Sequence, residues 1–135
     1  MKYYIVIPSY NEEALIGLTL QSLISQTVLP SKIVVVNDNS TDRTADVVLE
    51  FAKNNPYISL VNKSSENIHL PGSKVIQAFE KGFETLDDNY DLIVKIDADL
   101  IFPPNYFETI IKHFQSDERI GMVCGRVTQQ NGFAF

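Results

Sequence analysis

Apolar residues along the chain gather in two kinds of run. Five runs are short, nearly continuous and rich in Val and Ile: Tyr3–Ile7, Lys32–Val36, Ile58–Val61, Leu92–Ile96 and Met122–Val127. Unbroken apolar character over so short a span predicts strands covered on both faces, as in a parallel sheet. Between them, four stretches carry apolar residues at helical spacing. Ile16, Leu20, Leu23 and Ile24 mark the first, and Ala45, Val48, Leu49 and Ala52 the second. Val75, Ile76, Phe79 and Phe83 mark the third, and Phe107, Ile110, Ile111 and Phe114 the fourth. Asn11 is the candidate N-cap of the first helix, and Ser40 or Thr41 of the second. Pro103 and Pro104 stand where a fourth helix would begin.

Strand and helix alternate throughout. That order predicts an α/β fold: a mostly parallel sheet flanked by helices, joined by right-handed crossovers. No repeat, low-complexity segment or linker divides the chain, so residues 1–135 read as one domain. The longest irregular stretch, Asn62 to Gly72, is a candidate mobile loop. In open sheets of this kind, ligands bind beyond the carboxyl ends of the strands. Here those ends read Pro8-Ser9-Tyr10-Asn11, Asn37-Asp38-Asn39-Ser40 and Asp97-Ala98-Asp99. All three are polar, and the topology allows them to share one crevice.

Composition narrows the partners. Net charge is -6, which disfavours nucleic acid held through phosphate contacts and also an anionic lipid surface. The one cysteine, Cys124, excludes an intramolecular disulfide and a cysteine-rich zinc site, and its apolar setting suits a buried small hydrophobe. The amino terminus lacks a signal-peptide pattern and no apolar run approaches a membrane span, so a cytoplasmic protein is expected.

Asp97 and Asp99 raise the sharpest chemical question. Residues i and i+2 of an extended segment point to the same side, so their like charges crowd together. A divalent cation would relieve that repulsion. Two carboxylates cannot fill an octahedral shell, so Mg²⁺ or Mn²⁺ held this way takes water and substrate phosphates as well. An EF-hand starting at Asp97 fails, because Ile101 and Phe102 fall where an oxygen ligand and a glycine are required. Asp38, at a strand end, can accept from a ring N–H or exocyclic amine of a base. Tyr10 either stacks on a nucleobase or packs on the first helix. Lys74, close to a helix start, is either a phosphate contact or a solvated lysine. His69 and His113 are isolated and receive no role; His113 is expected on the exposed face of its helix.

Taken together, "IPSYNEE", "VVVNDNSTDRT" and "KIDADLIFPP" resemble the family 2 glycosyltransferases of the GT-A fold, over about Tyr3 to Pro104. The resemblance implies a nucleotide-diphosphate-sugar donor, with UDP or GDP as the nucleotide, and inverting transfer to an unidentified acceptor. It implies that Pro8, Tyr10 and Glu12 lie in the nucleotide-binding segment and that Asp38 contacts the base. Asp97 and Asp99 match the DXD motif that holds Mn²⁺ or Mg²⁺, with Asp99 the direct ligand and Asp97 nearer the ribose or sugar. Asn37 stands where the family usually has a second aspartate. The family's general base is an aspartate further along a longer domain, and no acidic residue follows Glu118 here. The expectation is therefore a donor-binding half, with no catalytic base of its own and possible self-association through uncovered apolar surface. A non-catalytic nucleotide-binding or interaction module is the alternative. A receiver domain is disfavoured, since Pro8-Ser9 and Asn62-Lys63 occupy the places that need carboxylates.

Overall fold

A computed structural model describes residues 1–64, 73–123 and 125. The β-branched runs form four strands: β1 (Tyr3–Ser9), β2 (Lys32–Asp38), β3 (Ile58–Lys63) and β4 (Leu92–Lys95). All pair in parallel, in the order β3-β2-β1-β4. The helices between and after them are α1 (Ile16–Ile24), α2 (Thr44–Asn54), α3 (Ser73–Glu84) and α4 (Tyr106–Ser116). Four of the five expected strands are present. Asn62 and Lys63, expected in the loop, instead extend β3. Of the expected fifth strand, Met122 and Val123 are not in a strand, and Cys124, Arg126 and Val127 lie outside the described residues, as does His69.

The central strands β1 and β2 are buried on both faces, which is why they read as unbroken apolar runs, whereas the edge strands β3 and β4 are only partly covered. On one face Tyr3, Ile5, Ile7, Ile33 and Val35 meet Ile16, Leu20 and Leu23 of α1, Val48 of α2, and Phe107 and Ile111 of α4. On the other, Val6, Val34 and Val36 meet Ala78 and Phe79 of α3. β2 and β3 lie to one side of β1 and β4 to the other. The strand order thus reverses at β1, and the crevice of an open sheet forms at such a reversal.

Two helical faces differ from their spacing. In α2, Val47, Val48, Phe51 and Ala52 turn to the sheet, and Leu49 is 48 % exposed. In α3, Val75 and Ile76 are 44 % and 58 % exposed. Phe79 of the expected stripe does pack on the sheet, and the closest contact is made by Ala78 and Gly82, one turn apart. A Cβ at Gly82 would stand 2.7 Å from methyl carbons of Val6 and Val36, so the missing side chain is what lets α3 lie this close. The expected caps also differ. Leu15 precedes α1, and Asn11 lies upstream at φ 50°, in the left-handed region that Asn tolerates. α2 begins at Thr44, past Ser40 and Thr41, and its first amide donates to Asp42 Oδ1 at 2.9 Å. Pro103 and Pro104 do precede α4, as expected.

The amino edge of the sheet is tied by Asp87. Its carboxylate accepts from Lys32 Nζ at 2.8 Å and from the Tyr4 hydroxyl at 2.6 Å. Those bonds, the Lys32 one foremost, hold the Asp87 carboxyl well below the usual carboxylate range. A depressed folded-state pKa gives stability that is present above the ordinary carboxylate pKa and lost as pH falls. Thermal melts of wild type and Asp87→Asn should therefore differ at pH 7 and converge as the pH is lowered below the ordinary range. Equal melting temperatures at pH 7 would contradict the tie.

Candidate functional site at the β1–β4 reversal

The carboxyl ends of the strands bring the three polar segments to one edge. The β1–α1 loop carries Tyr10, Asn11 and Glu12. The β2–α2 loop carries Asn39 to Arg43. They are laced together. Asn11 N donates to Ser40 Oγ at 3.0 Å, Glu12 N to Thr44 Oγ1 at 2.9 Å, and Glu13 N to Asp42 Oδ2 at 3.1 Å. In return Asn11 Oδ1 accepts from Thr41 N at 2.8 Å. Asn39, like Asn11, is left-handed, at φ 59°. Pro8 is half-buried, and Ser9 is buried with its hydroxyl donating to the Val36 carbonyl at 3.0 Å. Tyr10 is 60 % exposed.

Asp38 ends β2 and is buried. Its register partner on β3 is Lys63, whose Nζ lies 3.7 Å from Asp38 Oδ1. Both side chains are largely covered, at 13 % exposure for Lys63 and 9 % for Asp38. Beside them Asn37 donates to Asn62 Oδ1 at 3.0 Å and accepts from Ser40 N at 3.1 Å. Asn37 is thereby committed to bracing the strand ends. The sequence reading gave no role to Lys63, because β3 appeared to stop at Val61. Register alignment with Asp38 is the signal that reveals it.

After β4 the backbone stays anchored, with Ile96 N donating to the Val6 carbonyl at 3.3 Å. Burial then alternates: Ile96 and Ala98 face the core while Asp97 and Asp99 are exposed. The strand has ended by then and Ala98-Asp99 form a turn, yet both carboxylates act on Glu12. The segment is sewn to α1. Thr19 Oγ1 donates to the Ala98 carbonyl at 2.9 Å, Phe102 N to Ser22 Oγ at 3.1 Å, and Gln26 Nε2 to the Pro103 carbonyl at 2.7 Å. Glu12 senses both aspartates across the crevice. Desolvation pushes its carboxyl pKa up, and the charges of Asp99, Asp42 and Asp97 push it further. Glu12, Asp97 and Asp99 therefore share one field, which suits a cation held between the first and third segments. No group of three or more metal-binding side chains is close enough to form a complete site by itself among the described residues. Ligands from substrate and water would have to complete the shell.

A carboxyl whose pKa is raised on folding opposes folding once pH exceeds its unfolded value, and does so fully above its folded value. Glu12→Gln should thus raise the melting temperature of the ligand-free protein at pH 7.5, with the gain absent at pH 4. A lower melting temperature at pH 7.5 would contradict the crowding. Lys74 lies in the first turn of α3, half-buried, and His113 is exposed, as expected.

A sequence model described as Glycosyl transferase family 2 matches residues 4–135. The chain belongs to that family. Among its relatives is the probable glycosyltransferase YdaM of Bacillus subtilis, 32 % identical over 127 residues. That match covers 93 % of this chain and 29 % of YdaM. The chondroitin synthase of Pasteurella multocida is 29 % identical, over 94 % of this chain and 12 % of the synthase. This chain thus spans under a third of the length of either relative. Two solved structures share its fold. Mannosyltransferase PcManGT from Pyrobaculum calidifontis, in complex with GDP-Man and Mn²⁺, superposes with a TM-score of 0.71 at 23 % identity. It is covered over 37 % of its length by 98 % of this chain. S. aureus TarS 1-349 with UDP-GlcNAc gives 0.65 at 18 % identity, over 42 % of its length and 98 % of this chain. The sheet is therefore the parallel core of a GT-A, Rossmann-like fold, and the family resemblance read from the three motifs holds. No helix among the described residues is long and apolar enough to cross a membrane.

Proposed function

We propose that residues 1–135 form one domain that binds the nucleotide-sugar donor of a metal-dependent, inverting glycosyltransferase. What supports this reading is that the segments carrying Tyr10, Glu12, Asp38, Asp97 and Asp99 end or follow parallel strands at one sheet edge, where the strand order reverses, in a family 2 chain. Tyr10 offers an exposed ring for stacking on a base, beside Pro8. Asp97 and Asp99 would hold Mn²⁺ or Mg²⁺, which supplies charge neutralisation at the donor diphosphate and the leaving nucleotide. Glu12 adds negative charge on the opposite wall. Lys74, at an α-helix amino terminus, suits a phosphate oxygen. The complexes of PcManGT with GDP-Man and Mn²⁺ and of TarS with UDP-GlcNAc support this class of ligand. Transfer also requires a base for the acceptor hydroxyl, and this reading assigns these residues donor binding alone.

The Asp38–Lys63 pair bears on the base. A carboxylate only accepts hydrogen bonds and an ammonium only donates them. Side by side at 3.7 Å they complement a ring N–H next to a carbonyl. Uracil and guanine carry that edge; cytosine and adenine do not. Calorimetric titration with UDP, GDP, CDP and ADP in Mn²⁺ should show UDP or GDP bound at least about 10-fold more tightly than CDP and ADP. Lys63→Met should narrow that gap. Equal affinity for all four diphosphates would overturn the reading.

A further inference from the structure

The lacing of the two loops has a centre. Thr44 is fully buried, and its hydroxyl works in both directions: it donates to Asp42 Oδ1 and accepts from Glu12 N at 2.9 Å. Asp42 accepts through both oxygens in turn. Oδ1 also accepts from Thr44 N at 2.9 Å, and Oδ2 accepts from Glu13 N at 3.1 Å. Three consecutive amides of the β1–α1 loop thus end on side chains of the β2–α2 segment: Asn11 on Ser40, Glu12 on Thr44 and Glu13 on Asp42. These amides precede the first turn of α1, which closes through Glu12 O accepting from Ile16 N at 2.8 Å. They have no helical acceptors of their own, and a loop of this length has many alternative conformations. The left-handed Asn11 is one of those conformations, held by its two backbone and side-chain bonds to Ser40 and Thr41.

We propose that Asp42 and Thr44 are positioning residues: they fix the β1–α1 loop so that Tyr10 and Glu12 stand at a set distance from Asp38 and from the Asp97–Asp99 pair. The inference rests on the nucleotide reading above for what is positioned, but not for the clamp itself. Both residues act through backbone amides, so neither needs to touch a ligand. A hydroxyl is essential at residue 44, since only a group that donates and accepts can join Asp42 to Glu12. Asp42 must be a carboxylate, since an amide nitrogen in place of Oδ2 cannot accept from Glu13 N.

The experiment pairs amide hydrogen exchange with titration of UDP and GDP in Mn²⁺, on wild type, Thr44→Val, Thr44→Ser and Asp42→Asn. Thr44→Val is near-isosteric and removes only the bridge. The Glu12 and Glu13 amides should exchange at least about 10-fold faster in Thr44→Val, while Val35 in the sheet keeps its protection. Nucleotide affinity should fall by about 10-fold or more, and Thr44→Ser should restore both. Asp42→Asn, a milder change, should speed Glu13 exchange selectively. If Thr44→Val does not fold, Asp42→Asn alone decides through that selective exchange and a matching affinity loss. Wild-type binding that persists unchanged in the variants would overturn the positioning role and leave the nucleotide reading standing. A wild type that binds neither nucleotide would sink the nucleotide reading and the positioning role together, while exchange still shows whether the clamp exists. Uniform acceleration across loop and sheet would reduce the pair to general stability and overturn the proposal.

Discussion

Asp99→Ala should abolish the metal-dependent part of nucleotide binding. In wild type, Mn²⁺ should strengthen UDP or GDP binding; in the variant, adding Mn²⁺ should change affinity little, a loss of about 100-fold or more at saturating metal. The argument is one of ligand count. Asp97 and Asp99 are both exposed after β4, and both charges act on Glu12. A cation held by these two residues would have few protein oxygens to lose. The fold should survive, because substitution at an exposed position away from packing shifts stability by only about 0.5 kcal/mol. It should even ease the crowding that raises the Glu12 pKa. Asp97→Ala should cost less if Asp97 serves the ribose or sugar side; its carboxylate lies 3.9 Å from Lys95 Nζ. Calorimetry with and without Mn²⁺ checks both. Full metal enhancement in Asp99→Ala would remove the aspartate from the cation site.

Phe107→Ala should be the most damaging single truncation for stability, at about 3–5 kcal/mol. Phe107 is 2 % exposed and lies stacked on Tyr3 of β1 with ring centroids 4.9 Å apart. Phe102 and Tyr106 close on it at 5.5 Å and 4.9 Å. Aromatic packing of this kind adds about 0.5–1.5 kcal/mol to area burial. Its amide also donates to Gln26 Oε1 at 3.1 Å, and the same Gln26 side chain donates to the Pro103 carbonyl. Phe107 therefore anchors α4 and, through Gln26, the segment that follows Asp99. The denaturant midpoint should fall with little change in slope. A loss below about 1 kcal/mol would show that α4 holds without this anchor.

Much of this architecture is legible in the sequence, for reasons that differ by element. Strands buried on both faces leave no ambiguity of period, so Tyr3–Ile7 and Lys32–Val36 announce themselves. Their polar ends do too, because Asp38 and Asp97 interrupt runs that burial would otherwise keep apolar. Helical spacing is less decisive. Val75, Ile76, Phe79 and Phe83 form a stripe on α3, yet of these only Phe79 packs on the sheet cluster, and the closest approach is made by Ala78 and Gly82, since a bulky residue there would hold the helix off. Hydropathy weighs size and cannot see that absence of size is what the contact needs. The caps misled for a related reason. Asn11, Ser40 and Thr41 are the right chemistry for capping, but they bond across two loops that only the fold brings together. Lys63 was hidden by register, a property of two strands at once. The roles of Asp42 and Thr44 are likewise tertiary. Tyr10, Glu12, Asp38, Asp97 and Asp99 all end or follow parallel strands at one edge of the sheet, as the motif order leads one to expect, whereas Lys74 stands in the first turn of α3.

On the reading proposed above, these residues bind a nucleotide diphosphate together with a divalent cation. The most direct test is calorimetric titration of the wild-type chain with UDP and with GDP, each in Mn²⁺ and again in excess chelator. The account predicts saturable binding of at least one of the two in Mn²⁺, weakened by about 10-fold or more when the metal is removed. Binding that is equally tight in chelator, or absent for both nucleotides in Mn²⁺, would contradict it.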